Sequence, residues 1–202
     1  MNSDMPLTPE ATPLVRNACG GAVSGNKHWY VAVVRPRYER ISRDLLCNLG
    51  YEAYIAGQKD TRVYACRHRR EVERIIIPNL VFVHVTEKER RLLLRQCTHI
   101  HHFMTDRAGL CNENGHRPLA VIPDAQMEML RFMLYHAERP VAFVSTPLSV
   151  GHAVRVIRGV LTGLEGEVIT LHEGSSPHVG IRIDWLGYAI LQVAPEDVER
   201  IG

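Results

Sequence analysis

The chain has 202 residues, room for one domain or two small ones, and a hydrophobic content of 46% is enough for a proper core. No run of about 18 apolar residues occurs, which excludes a membrane-spanning helix, and residues 1–26 lack the basic start and apolar run of a secretory signal. The net charge of +2 hides a split: residues 27–137 carry 18 Lys and Arg against 12 Asp and Glu, whereas residues 149–202 carry 4 against 7.

Residues 1–26 mix Pro, Gly, Ser, Asn and Ala without periodicity and read as a flexible tail. The apolar run from Trp29 to Val34 stops at Pro36 and reads as a buried strand. Tyr38, Ile41, Leu45, Leu46 and Leu49 fall at helical spacing, with Gly50 as the left-handed stop. Arg37, Arg40 and Arg43, at steps of three, would share the outer face of that helix. Residues 52–55 read as a second strand. Residues 62–77 are long and polar, with Arg67, His68, Arg69 and Arg70 at their middle, and suit an extended hairpin.

Pro78 and Asn79 break that segment before the strand at 80–85. Thr86 followed three residues later by Glu89 predicts a capping box at the start of a second helix. Residues 101–104 read as a short strand. Asp124 is the expected cap of a third helix, with Met127, Leu130 and Leu134 as its apolar stripe. The order describes an α+β domain over 27–137, an antiparallel sheet with helices packed on it. Pro140 and Pro147 mark residues 138–148 as a linker. Five short Val- and Ile-rich runs at 153–157, 167–171, 179–185, 188–193 and 198–201, punctuated by glycines, imply a small all-β barrel over 149–202.

The five cysteines, Cys19, Cys47, Cys66, Cys97 and Cys111, include no CxxC pair and fit a reducing, cytoplasmic setting. Cys97, His99, His101 and His102, with Cys111 and His116 nearby, are residue types that suit zinc, but strand alternation points His102 away from His99 and His101, so no metal or other cofactor is expected. No nucleophile elbow, P-loop or dinucleotide-binding glycine motif occurs, and nothing supports an enzyme. Of the 24 basic residues 21 are arginine, whose planar fork suits phosphate and carboxylate. A basic module beside an acidic one predicts two different partners.

Three segments together resemble the NusG family of transcription elongation factors. Trp29-Tyr30-Val31 with Tyr38-Glu39 resembles the opening of the family's N-terminal domain, and Pro78-Asn79-Leu80-Val81-Phe82-Val83 resembles its later Pro-containing strand. Val154-Arg155-Val156 to Gly159, then Gly163 to Val168, resembles the KOW motif of an SH3-like C-terminal barrel. The overall pattern is more similar to the specialised paralogues, RfaH and the UpxY-type antiterminators of capsular polysaccharide loci, than to housekeeping NusG.

The resemblance implies a monomeric factor without covalent chemistry. It implies docking on the β′ clamp helices of RNA polymerase through Val33, Ile77, Leu80, Phe82 and Phe103, and contact with the β subunit across the cleft through Arg90 and Arg91. Arg35, Arg37, Arg40 and Arg43 would follow non-template DNA or nascent RNA. The barrel would keep its form with Gly159, Gly163 and Gly166 at special backbone positions. Leu161 and Leu164 would meet ribosomal protein S10 or the termination factor Rho. The competing expectation is an RNA-binding or ribosome-associated KOW protein.

Overall fold

The computed structural model describes residues 25–63, 69–106, 109–111, 113, 115–145, 149–171 and 178–201, with backbone alone at 61–63, 69–71 and 149. Nearly all of the expected N-terminal tail, Arg67 and His68, and the side chains of Arg69 and Arg70 lie outside the described residues.

The N-terminal unit opens with β1 (His28–Val34) and α1 (Glu39–Asn48), followed by β2 (Glu52–Tyr54). A hairpin of β3 (Gly57–Val63) and β4 (Arg69–Ile75) forms its own two-stranded sheet. Then come β5 (Leu80–Val85), α2 (Glu87–Gln96), β6 (Ile100–Phe103), β7 (Val121–Ile122) and α3 (Asp124–His136). The main sheet has the order β2-β5-β1-β6, with β7 also pairing β1, and every pair is antiparallel. Its register sets Val31 opposite Phe82, Val33 opposite Leu80 and Ala32 opposite Phe103. Directly opposed residues share a face, so the sheet sorts its apolar residues into two cores. Trp29, Val31 and Phe82 pack with Met127, Leu130, Met133 and Leu134 of α3. Tyr30, Ala32, Val34, Val81, Val83 and Val85 pack with Leu46 of α1 and Leu93 of α2.

Local signals placed the helix ends unevenly. Thr86 and Glu89 form the full capping box, each satisfying a backbone N–H of the other. Gly50 adopts φ 86°, the left-handed stop after α1. The residue that precedes α3 is Pro123; Asp124 lies inside the first turn and makes no capping bond. In α1 the expected stripe is displaced: Ile41 and Leu49 are 53% and 48% exposed, and Glu39, Ser42 and Leu46 are buried. The carboxylate of Glu39 accepts the backbone N–H of Asn79 at 2.8 Å, which satisfies the buried acid on the inner face of the helix.

The C-terminal region is mostly strand. It contains β8 (Ala142–Val144), β9 (Ser149–Val156), β10 (Glu165–Thr170), β11 (His178–Ile183), β12 (Gly187–Gln192), a 3₁₀ turn at Pro195–Asp197 and β13 (Val198–Arg200). They form a six-stranded antiparallel sheet in the order β13-β9-β10-β11-β12-β8. Strand β8 falls within the segment expected as a linker and pairs with β12.

The two units share apolar packing. Val156, Leu161, Leu164, Ile181, Ile183 and Leu191 are continuous with the α3 core. Polar bonds reinforce the contact: Asp184 donates its N–H to Oε1 of Gln126 at 2.8 Å, and Trp185 donates its indole N–H to the carbonyl of Val121 at 3.1 Å. Among the described residues no helix is long and apolar enough to cross a membrane.

Candidate functional site

A cleft of about 400 Å³ opens beside the Pro78–Asn79 turn, lined by Val33, Leu80, Met104, His102, Thr105 and Leu186 along with the turn itself. Its walls follow from strand pairing. Val33 at the end of β1 stands opposite Leu80 at the start of β5, both half-buried on one face. Asn79 takes φ 63°, which asparagine tolerates better than most residues. Its N–H is held by Glu39, and its carbonyl accepts Val34 N–H at 2.9 Å. Met104 is fixed by its N–H to the Val31 carbonyl at 2.8 Å.

Three of the five expected cleft residues therefore stand elsewhere. Ile77 and Phe82 are buried in the core beneath the cleft. Phe103 is corrected outright: opposite Ala32, it faces the α1 and α2 side and cannot join Val33 and Leu80. Strand alternation assigns its place to Met104, one residue on, a signal available once the register is known. Leu186 carries no sequence signal for this site, because it arrives from the turn between β11 and β12.

Toward the other end of β1, Arg131 of α3 lies 4.5 Å from the centre of the Trp29 ring and 4.9 Å from that of the Tyr54 ring. It also donates to Glu52 at 3.0 Å, while Glu52 meets His84 Nδ1 at 2.9 Å and His84 stacks on Trp29 at 4.8 Å. Burial works against ionisation of Glu52, but the bonds from Arg131 and His84 prevail and hold its carboxyl below the usual range. Burial pushes the Tyr54 hydroxyl up to about 12.

Arg90 and Arg91 have separate surroundings. Arg90 is only 11% exposed in its side chain, makes two 2.8 Å bonds to the Glu87 carboxylate, and lies 5.3 Å from the Phe103 ring centroid. Those bonds hold Glu87 below and Arg90 above their ordinary values. Arg90 is thus built into the packing of α2 on the sheet. Arg91 is 72% exposed and bonds the same Glu87 at 2.9 Å.

The four arginines near α1 also divide. Arg40 bonds the Glu73 carboxylate at 3.1 Å and its carbonyl, and Arg43 bonds Asp44 and approaches Glu73 at 3.6 Å. Both are tied to the hairpin. Arg35 and Arg37 are exposed and form no ion pair among the described residues. Arg37 has φ 69°, so the chain turns sharply between the cleft and α1.

In the C-terminal sheet Gly159 and Gly163 adopt φ 85° and 91°, while Gly166 is required for another reason: a Cβ there would lie 2.7 Å from the Gly180 carbonyl oxygen. The two left-handed turns flank Leu161 and Leu164, which are 6% and 3% exposed in the packing shared with α3. Ile157 and Val160, beside Arg158, are the apolar residues this loop exposes. Cys97 is buried, which pushes its thiol up, and the His99 ring meets the Tyr38 ring at a tilt with centroids 4.7 Å apart. Among the described residues no group of three His, Cys, Asp or Glu is placed to hold a metal ion.

Comparison with known proteins adds one decisive match: residues 27–131 fit the family model described as transcription termination factor nusG. No curated protein matches the sequence. The chain is similar to a solved structure described as "Domain interaction in Thermotoga maritima NusG", at 16% identity and a TM-score of 0.43, over 88% of this chain and 98% of that one. It is also similar to one described as the MjSpt4:Spt5 complex, conformation A, at 11% identity and a TM-score of 0.28, over 86% and 97%.

Proposed function

The chain belongs to the NusG family of transcription factors, and from that membership we propose that it is an elongation and antitermination factor that docks on the β′ clamp helices of RNA polymerase through the cleft of Val33, Leu80 and Met104. The observation that carries this reading is the cleft itself: an opening on the N-terminal sheet with an apolar wall of Val33, Leu80 and Met104 beside polar Asn79, His102 and Thr105, framed by a turn that Glu39 holds. A helix tip entering such a groove gains affinity from burial. Exposed Arg35 and Arg37 lie next to it and suit the phosphates of a non-template or nascent strand. The C-terminal sheet is read as a KOW barrel whose partner surface is Ile157, Arg158 and Val160. On its sequence resemblance to the specialised paralogues, the factor serves a polysaccharide biosynthesis operon in the cytoplasm. Its action is binding, with no covalent step.

Leu186 lines the same cleft. We read Leu186 as narrowing the entry for a helix tip, and the docked arrangement as the closed form of the factor.

Retention of the full chain on an immobilised β′ clamp-helix fragment tests the reading. Leu186→Asp should bind about tenfold more tightly than the unaltered chain, and Leu80→Asp should lose binding. Readthrough of a terminator in a purified transcription reaction should rise with the chain present and return to background with Leu80→Asp. Failure of both the unaltered chain and Leu186→Asp to bind, together with tight binding to free RNA, would favour a ribosome-associated role and overturn the proposal.

A further inference from the structure

Gln58 is a buried polar residue on β3 whose side chain bonds chiefly outside its own hairpin. Its Nε2 donates to the carbonyls of Ala137 at 3.0 Å and Arg139 at 2.8 Å, and its Oε1 accepts the N–H of Val141 at 2.9 Å. Arg74, its direct partner on β4, approaches the same Oε1 at 3.4 Å and donates to the Val141 carbonyl at 2.8 Å. The amide has two donors and one two-lone-pair acceptor, and all of them are used. Glutamate would lack the donors and methionine would lack both.

These bonds fall on the one covalent connection between the units. Ala137 caps α3, with its N–H on the Met133 carbonyl. Val141 is fully buried and directly precedes β8, the edge strand of the C-terminal sheet. A swing of the sheet that turns the backbone between 137 and 141 would break bonds to Gln58. Gln58 grips both ends of that stretch, and Arg74 grips Val141 a second time. With the Gln58 bonds intact, the chain leading into β8 stays fastened to the hairpin base, which favours the docked position.

We infer that Gln58 and Arg74 form a latch at the base of the β3–β4 hairpin, and that this latch holds the C-terminal sheet against the N-terminal unit. The docked state is set at two separated places: the contact face, where Asp184 meets Gln126 and Trp185 meets Val121, and the hairpin base. A hairpin displaced by a bound partner would release the sheet from a distance. The inference holds whatever the cleft binds.

Hydrogen–deuterium exchange on the full chain tests it, with Gln58→Ala and the volume-preserving Gln58→Met. Each loses the four hydrogen bonds of the Gln58 amide, so exchange should rise roughly tenfold or more in the peptide spanning Val141 and, as the decisive reading, in the distant peptide spanning Asp184 to Leu186. Peptides from β1 and β5 should keep their unaltered rates. Faster exchange at Val141 with no change at Asp184 would overturn the latch, as would no change at either. If Gln58→Ala exchanges faster throughout the chain, Gln58→Met decides: the same uniform rise there also overturns it, and a rise confined to the two named peptides supports it.

Discussion

Trp185 and Val121 are joined across the two sheets, the indole N–H donating to the backbone carbonyl at 3.1 Å. The bond lies at the far end of the contact face and seats the turn that carries Leu186 into the cleft. The indole is nearly half exposed, so its ring adds less burial than its size suggests. Trp185→Phe should keep most of the packing and lose the bond, weakening docking by about 1 kcal/mol. Exchange of the Asp184 amide, measured in the full chain, should quicken while that of β5 does not. An unchanged Asp184 rate would mean that the indole bond contributes nothing to docking.

Arg90 and Arg91 are neighbours in sequence with opposite expected consequences. Arg90→Ala removes two bonds to Glu87 and the guanidinium lying against Phe103, in a nearly buried setting. Loss of about 1–2 kcal/mol of stability in urea unfolding is expected. Arg91→Ala removes one exposed ion pair and should change stability by less than about 0.5 kcal/mol. Equal losses from the two would contradict the distinct packing described for them.

Leu161→Ala and Leu164→Ala should each cost about 2–4 kcal/mol, because both side chains fill the core shared with α3. Val160→Asp, on the exposed tip of the same loop, should leave the midpoint of thermal unfolding within a few degrees of the unaltered chain. Calorimetry on the three variants separates core from surface in this loop. A large loss from Val160→Asp with small losses from the leucines would reverse the assignment.

What was legible in the sequence was local. Trp29 to Val34 and Leu80 to Val85 show their strand character within a few residues, and the capping box of Thr86 and Glu89 spans one helical turn. What was missed depends on distant partners. Of the stripe Tyr38, Ile41, Leu45, Leu46 and Leu49, Leu46 is buried as expected, but Ile41 and Leu49 are exposed and Glu39 and Ser42 buried, with Glu39 satisfied by the distant N–H of Asn79. Phe103 and Met104 alternate in any strand; the pairing of Ala32 with Phe103 decides which one enters the cleft. Residues 142–144, between two prolines, look like linker until β12 supplies a strand to pair with. The role of Gln58 is invisible in sequence, since its three backbone partners lie about 80 residues away.

Tyr54 gives a pH dependence with a definite sign. Its hydroxyl, displaced by burial, titrates at about 12 in the folded chain against 10.0 ordinarily. The folded value is the higher one, so the folded state holds this proton more tightly than the unfolded state does. The associated stability is complete below pH 10 and is lost as pH rises from there through 12. Integrated over that window, the loss is about 2 kcal/mol by pH 12. Other tyrosines, Tyr30, Tyr51 and Tyr188, are also raised by burial and add to the total, so the contribution of Tyr54 is read as a difference. Tyr54→Phe keeps the ring under Arg131 and removes the titrating group. Urea unfolding of both chains at pH 9 and pH 12 should show the variant gaining about 2 kcal/mol relative to the unaltered chain over the interval. A constant difference between the two pH values would mean that Tyr54 ionises as freely in the folded chain as in the unfolded one, and that the contact of Arg131 with its ring leaves the hydroxyl in water.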